Sequence, residues 1–178
     1  MDSYALILVD VQKKLIPAMR GEIELVNNLQ RLVKGFNLFN LPIIVTEQVP
    51  DKLGETVNDL RGALNGKHFL INKSEFSCLG NEVFSKKIRT LNLDTKLILC
   101  GIETHICVFQ TARDLIKKNY KVKIVTDGVS SRKKNDNDTA LKVLDNIGAS
   151  LTTVEMLLFD ILKNANDENF KKLSSIIK

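Results

Sequence analysis

Leu97-Ile98-Leu99-Cys100-Gly101-Ile102-Glu103-Thr104-His105-Ile106-Cys107-Val108 reads as a strand that turns abruptly into a helix. Leu97 to Gly101 is apolar without alternation, as in a strand covered on both faces. Thr104 can cap a helix whose inner face carries Val108, Ala112, Leu115 and Ile116. Cys107 then falls in the first helical turn. Unpaired amides and the positive end of the helix dipole there would stabilise a thiolate, and could also bind an oxyanion. The alternative is a buried cysteine acting as a small hydrophobe.

Similar apolar runs recur along the chain, at 4–9, 41–46, 68–72, 96–101, 121–126 and 149–154. Helical patterns separate them. The clearest places Leu25, Leu29, Leu32, Phe36 and Phe39 on one stripe. Others cover 80–91, 104–119 and 135–147, and the tail from 160 to 177 reads as one or two more. Strands alternating with helices predict right-handed crossovers and a doubly wound three-layer α/β/α domain with a mainly parallel six-stranded sheet. A length of 178 residues fits this as a single domain, 1–178.

In such sheets functional groups collect beyond the carboxyl ends of the strands. Those ends hold Asp10, Thr46 to Gln48, Lys73, Glu103 to Cys107, and Asp127. A carboxylate at Asp10 could serve as a base, or could cap a helix. Lys73 could supply a cation, or could be solvated. Base, cation and nucleophile at three strand ends follow the logic in which each group adjusts another. Cys78 and Cys100 read as structural.

The stretch 49–65 is the longest weakly patterned segment. Within it Gly62, Gly66 and Lys67 approach a phosphate loop, but His68 replaces the hydroxyl residue and the segment leads into a strand. Nucleotide binding therefore lacks its usual support.

Three cysteines without a C-x-x-C pair argue against a disulfide framework and for a reducing compartment. The N-terminus lacks the basic start of a signal peptide, and no apolar run reaches the roughly 20 residues of a membrane span. Those features point to the cytoplasm, with an organelle matrix as the alternative, and to no membrane partner. A formal charge of +5 could draw nucleic acid. However, the clusters at Lys117 to Lys123 and Arg132 to Lys134 read as solvated helix ends, and no nucleic-acid motif accompanies them.

The phrases LILVDVQ, NKSEFS and LCGIETHICV, in this order, resemble the three catalytic signatures of the isochorismatase-like cysteine hydrolases. The similarity continues through VTDGVSSR to the C-terminus, and VTEQVPDKLGETV resembles the isochorismatase domain-containing branch. The resemblance implies Cys107 as nucleophile, Asp10 as its base and Lys73 as the cation that holds the pair. It further implies a cis peptide between Ile102 and Glu103, with the Glu103 and Cys107 amides forming an oxyanion hole. Gln12, Glu47, Gln48 and Phe76 would line the substrate pocket. Family members that hydrolyse isochorismate lack the cysteine, so Cys107 argues for amide hydrolysis through a thioester.

Related nicotinamidases carry an Asp and His metal cluster after the second strand. Thr46-Glu47-Gln48-Val49 stands there in this chain, whose only histidines are His68 and His105. No metal or other cofactor is expected. His105 reads as a residue of the cap region or surface. A small-molecule substrate and a homo-oligomer, dimer or larger, complete the expectation. The competing readings are a catalytically idle scaffold of the same fold and a nucleic-acid-processing protein.

Overall fold

The computed structural model describes residues 3–66 and 68–178; Lys67 of the rejected phosphate loop, together with Met1 and Asp2, lies outside them. Six strands form one sheet: β1 (Tyr4–Val9), β2 (Ile43–Gln48), β3 (Phe69–Lys73), β4 (Lys96–Ile102), β5 (Lys121–Ser130) and β6 (Ser150–Thr152). Their spatial order is β3-β2-β1-β4-β5-β6, and every neighbouring pair is parallel.

The continuous apolarity of β1 follows from its two covered faces. Leu6 and Leu8 enter one core with α1 (Glu22–Leu38), α3 (Asn58–Leu64), α7 (Val154–Leu162) and α8 (Phe170–Ile177). Ala5, Ile7 and Val9 enter the other with α4 (Glu82–Arg89), α5 (Phe109–Lys117) and α6 (Lys134–Asn146). The result is a three-layer α/β/α fold. The expected burial on both faces fails at the sheet edge, where Phe69 and Leu70 of β3 are exposed.

Several local expectations change. The weakly patterned stretch 49–65 holds α2 (Pro50–Leu53) and α3, the latter anchored by buried Leu60 and Leu64. The sixth strand ends at Thr152, because Thr153 caps α7 by accepting from the Met156 amide. Thr104 is not a cap; its hydroxyl donates to Asn137 Oδ1 at 2.7 Å. The helix after β4 begins instead with a π turn over Thr104–Val108, preceded by Glu103 in the cap position.

Gly101 explains how β4 closes on β1 beneath this turn. It has φ +108°, and a Cβ there would stand 2.1 Å from the Val9 carbonyl oxygen. Only glycine allows that approach.

Candidate active site

The strand order reverses between β1 and β4: the fold proceeds from β1 outward through β2 and β3, then returns to the other side through β4, β5 and β6. Such a switch point opens a crevice at the carboxyl ends of the strands. Parallel register brings those ends level, with Val9 beside both Thr46 and Gly101, and Gln48 beside Lys73. Asp10 directly follows β1 with φ +53°, a left-handed conformation that aspartate tolerates.

The strand ends therefore deliver a buried ion pair. Lys73 Nζ lies 2.6 Å from Asp10 Oδ2, with side chains 0% and 1% exposed. The ammonium also donates to Gln48 Oε1 at 2.6 Å and to the Glu75 carbonyl at 3.1 Å. These three acceptors match its three protons. Burial works against the charge on Lys73, but the Asp10 carboxylate together with the nearby Cys78 and Cys107 sulfurs outweighs it, and the ammonium titrates above its ordinary value.

Cys107 is buried near this pair, close enough for the Asp10 and Lys73 charges to act on its thiol. Burial pushes its thiol up, the Asp10 charge pushes the same way, and the pull of Lys73 does not prevail. The sequence-based expectation of a thiolate held by a helix dipole is therefore corrected. At rest the sulfur is a thiol next to a carboxylate, so a nucleophile here needs Asp10 to take its proton as substrate arrives.

The remaining candidates divide. Gln48 joins the centre through Lys73 and is braced by its own amide, which donates to the Ser74 carbonyl at 2.7 Å. Gln12 is fully buried, donating to the Gln48 and Gly54 carbonyls and accepting from the Gln48 amide at 2.7 Å. Glu47 accepts from the Thr56 amide and hydroxyl at 2.6 and 2.8 Å. Gln12 and Glu47 thus fasten the segment after β2 to the sheet. Phe76 is 55% exposed. The Ile102–Glu103 peptide is cis, and the Glu103 carbonyl accepts from the Ile106 and Val108 amides at 3.0 and 3.3 Å.

Asp127 and the histidines stand elsewhere. Asp127 accepts from the Val154 amide at 2.9 Å, tying α7 to β5. His105 Nδ1 meets Ser131 Oγ at 2.9 Å, with Nε2 3.9 Å from Asp136, so it joins the turn after β4 to the end of β5 and to α6. A cavity of about 750 Å³ bordered by Pro17, Glu22 and Arg31 includes none of Asp10, Lys73 and Cys107.

Thr46, expected at a strand end without a role, and Cys78, expected to be structural, also belong to this centre. Thr46 Oγ1 donates to Asp10 Oδ1 at 2.7 Å, and Cys78 Sγ lies 4.0 Å from the same hydroxyl. Burial holds the Cys78 thiol up at about 11. The signal for Thr46 was available, since a parallel β1–β2 register places the residue at the end of the second apolar run beside Asp10.

Residues 4–156 match the family profile described as the isochorismatase domain. Isochorismatase domain-containing protein 2 of Danio rerio is 35% identical over 172 residues, covering 97% of this chain and 85% of its own length. A solved structure described as the MAR1 ribonuclease of Caenorhabditis elegans is 31% identical, with TM-score 0.92 over 99% of this chain and 91% of that one. The YcaC gene product of Escherichia coli, described as an octameric hydrolase of unknown specificity, is 25% identical, with TM-score 0.90 over 99% of this chain and 89% of its own.

Proposed function

The chain belongs to the isochorismatase family, and on that premise we propose that it is a cysteine-dependent hydrolase of a small amide or related carbonyl compound. The observation that carries this reading is the thiol of Cys107 set against a buried Asp10–Lys73 pair at the switch point of the sheet. A structural cysteine has no need of a carboxylate, and an ion pair with 0% and 1% exposure costs desolvation that a purely structural role would avoid.

In the proposed reaction Asp10 takes the Cys107 proton as the sulfur attacks the carbonyl carbon. The oxyanion is received by the Glu103 and Cys107 amides. Asp10 returns the proton to the leaving amine, the C–N bond breaks and a thioester remains. Water, deprotonated by Asp10, then attacks the thioester, and the sulfur leaves as the thiol. Lys73 stays protonated throughout, since its three donors are engaged by Asp10, Gln48 and Glu75. Every proton and charge is assigned to a residue of this chain.

The relative described as octameric supports assembly as a homo-oligomer, which sedimentation velocity would measure. Three free buried thiols support a reducing compartment such as the cytoplasm. Among the described residues no helix is long and apolar enough to cross a membrane.

A second reading, RNA cleavage, draws on the name of the Caenorhabditis elegans relative and on the +5 charge. One experiment separates the two. Wild type and Cys107→Ala are assayed on a panel of small amides and on RNA at low salt, with circular dichroism to verify folding. The amidase reading expects turnover of an amide that vanishes in the variant, and no RNA cleavage. RNA cleavage unchanged by the substitution, with every amide inert, would replace it.

A further inference from the structure

Two hydrogen bonds join Thr46 to Asp10. The Asp10 amide donates to the Thr46 carbonyl at 3.1 Å, and the Thr46 hydroxyl donates to Asp10 Oδ1 at 2.7 Å. On the far oxygen of the same carboxylate sits Lys73, 2.6 Å from Oδ2. A carboxylate is otherwise a loose rotor about χ2, with a broad, two-fold preference. Here one donor grips each oxygen, and the plane of the group is set.

The hydroxyl is itself held. It has a single proton, and a carboxylate oxygen is its strongest available acceptor. Cys78 Sγ, 4.0 Å away, can offer the same oxygen a weak S–H donor. Cys78 is anchored in turn, because its amide donates to Thr111 Oγ1 of α5 at 2.9 Å. Thr46 and Thr111 are fully buried, so water does not substitute for either hydroxyl.

We propose that Thr46 is a positioning residue of the catalytic centre, its hydroxyl fixing the Asp10 carboxylate in the rotation that serves Lys73 and Cys107 together. This rests on the reading of Asp10 as the base for Cys107. The hydroxyl touches neither sulfur nor substrate and acts through the carboxylate alone.

The test needs no knowledge of the natural substrate. Iodoacetamide alkylation of Cys107 is followed against pH by peptide mass spectrometry in wild type, Thr46→Val, Thr46→Ala and Thr46→Ser. In wild type the rate at Cys107 exceeds that at Cys78 and Cys100, with an acid limb in its pH profile. Removing the hydroxyl in Thr46→Val should slow alkylation roughly ten- to hundredfold and move the acid limb up by about one pH unit, as expected for a lost hydrogen bond to a charged group. Thr46→Ser should return both to near wild type.

A packing role would lower thermal stability without moving the acid limb, and would not separate Ser from Val. A wild-type profile in a folded Thr46→Val or Thr46→Ala protein overturns the proposal, as does failure of both to fold. If wild type itself shows no preference for Cys107, the failure lies in the nucleophile assignment and not in Thr46.

Discussion

Replacing Asp10 with asparagine isolates the energetics of the centre. Asparagine has the shape of aspartate, tolerates the φ of +53° at this position and keeps an oxygen for the Thr46 hydroxyl. What it removes is the counter-charge of a lysine whose side chain is 0% exposed. Breaking a buried pair in this way costs about 3–5 kcal/mol. The Gln48 and Glu75 oxygens still accept from Lys73, so the lower end, about 3 kcal/mol, is expected. For a urea slope of about 2–3 kcal/mol/M, the midpoint falls by about 1–1.5 M.

Lys73→Met removes the orphaned charge, and Asp10→Asn/Lys73→Met should return to within about 1 kcal/mol of wild type, as buried pairs exchanged for neutral groups often do. In wild type the folded pKa of Lys73 is raised above 10.5. The stability it contributes is therefore fully present below 10.5 and is lost as pH rises through the higher folded value. Without Asp10 only burial remains as the leading influence on Lys73, which reverses the sign, so the deficit of Asp10→Asn should shrink as the solution is made alkaline. Urea titrations from neutral to alkaline pH measure both. A cost below about 1 kcal/mol, or single costs that simply add in the double variant, would refute a tightly coupled buried pair.

Three other outcomes follow from the same structure. Burial raises all three thiols above 9.0, Cys78 to about 11; their stabilising contribution is whole below 9.0 and declines as pH rises, by up to about 4 kcal/mol per pH unit once the unfolded thiols are ionised. Urea titrations above neutrality should show that decline, and Cys100→Ala should flatten it. Gly101→Ala, with its Cβ 2.1 Å from the Val9 carbonyl oxygen, should cost about 3 kcal/mol or more and depress activity through the adjoining turn; a thermal shift of only a degree or two would contradict this. Asn81 caps α4 by accepting from the Val83 and Phe84 amides, so Asn81→Ala should cost about 1 kcal/mol in denaturant titration while leaving Cys107 alkylation unchanged.

The central strands were readable because a buried parallel strand carries its own signature: Tyr4 to Val9 is apolar at every position, and its observed bounds match the expected ones. The edges were less so. β2 runs to Gln48, past the apolar run, because in-register pairing with β3 continues through polar Glu47 and Gln48. The short helices of 49–65 leave little pattern because each spans at most two turns, and α3 fully buries only Leu60 and Leu64. Single residues at strand ends pointed to Asp10, Lys73 and Cys107, but the bonds between them depend on which strands are neighbours. Thr46 shows this: its own segment marks it only as a strand end, and its role follows from lying beside the end of β1. Glu47 shows the converse, a carboxylate at a strand end that turns to Thr56 and away from the ion pair.

The claim on which the rest depends is that the Cys107 sulfur takes up the acyl group. Wild type mixed with candidate amides, quenched in acid during turnover and digested, can be read by peptide mass spectrometry. A mass increase equal to the acyl group on the Cys107 peptide, absent from the Cys78 and Cys100 peptides and lost in Cys107→Ser, is the expected result. Turnover of an amide with no adduct on Cys107, at an undiminished rate in Cys107→Ala, would contradict it.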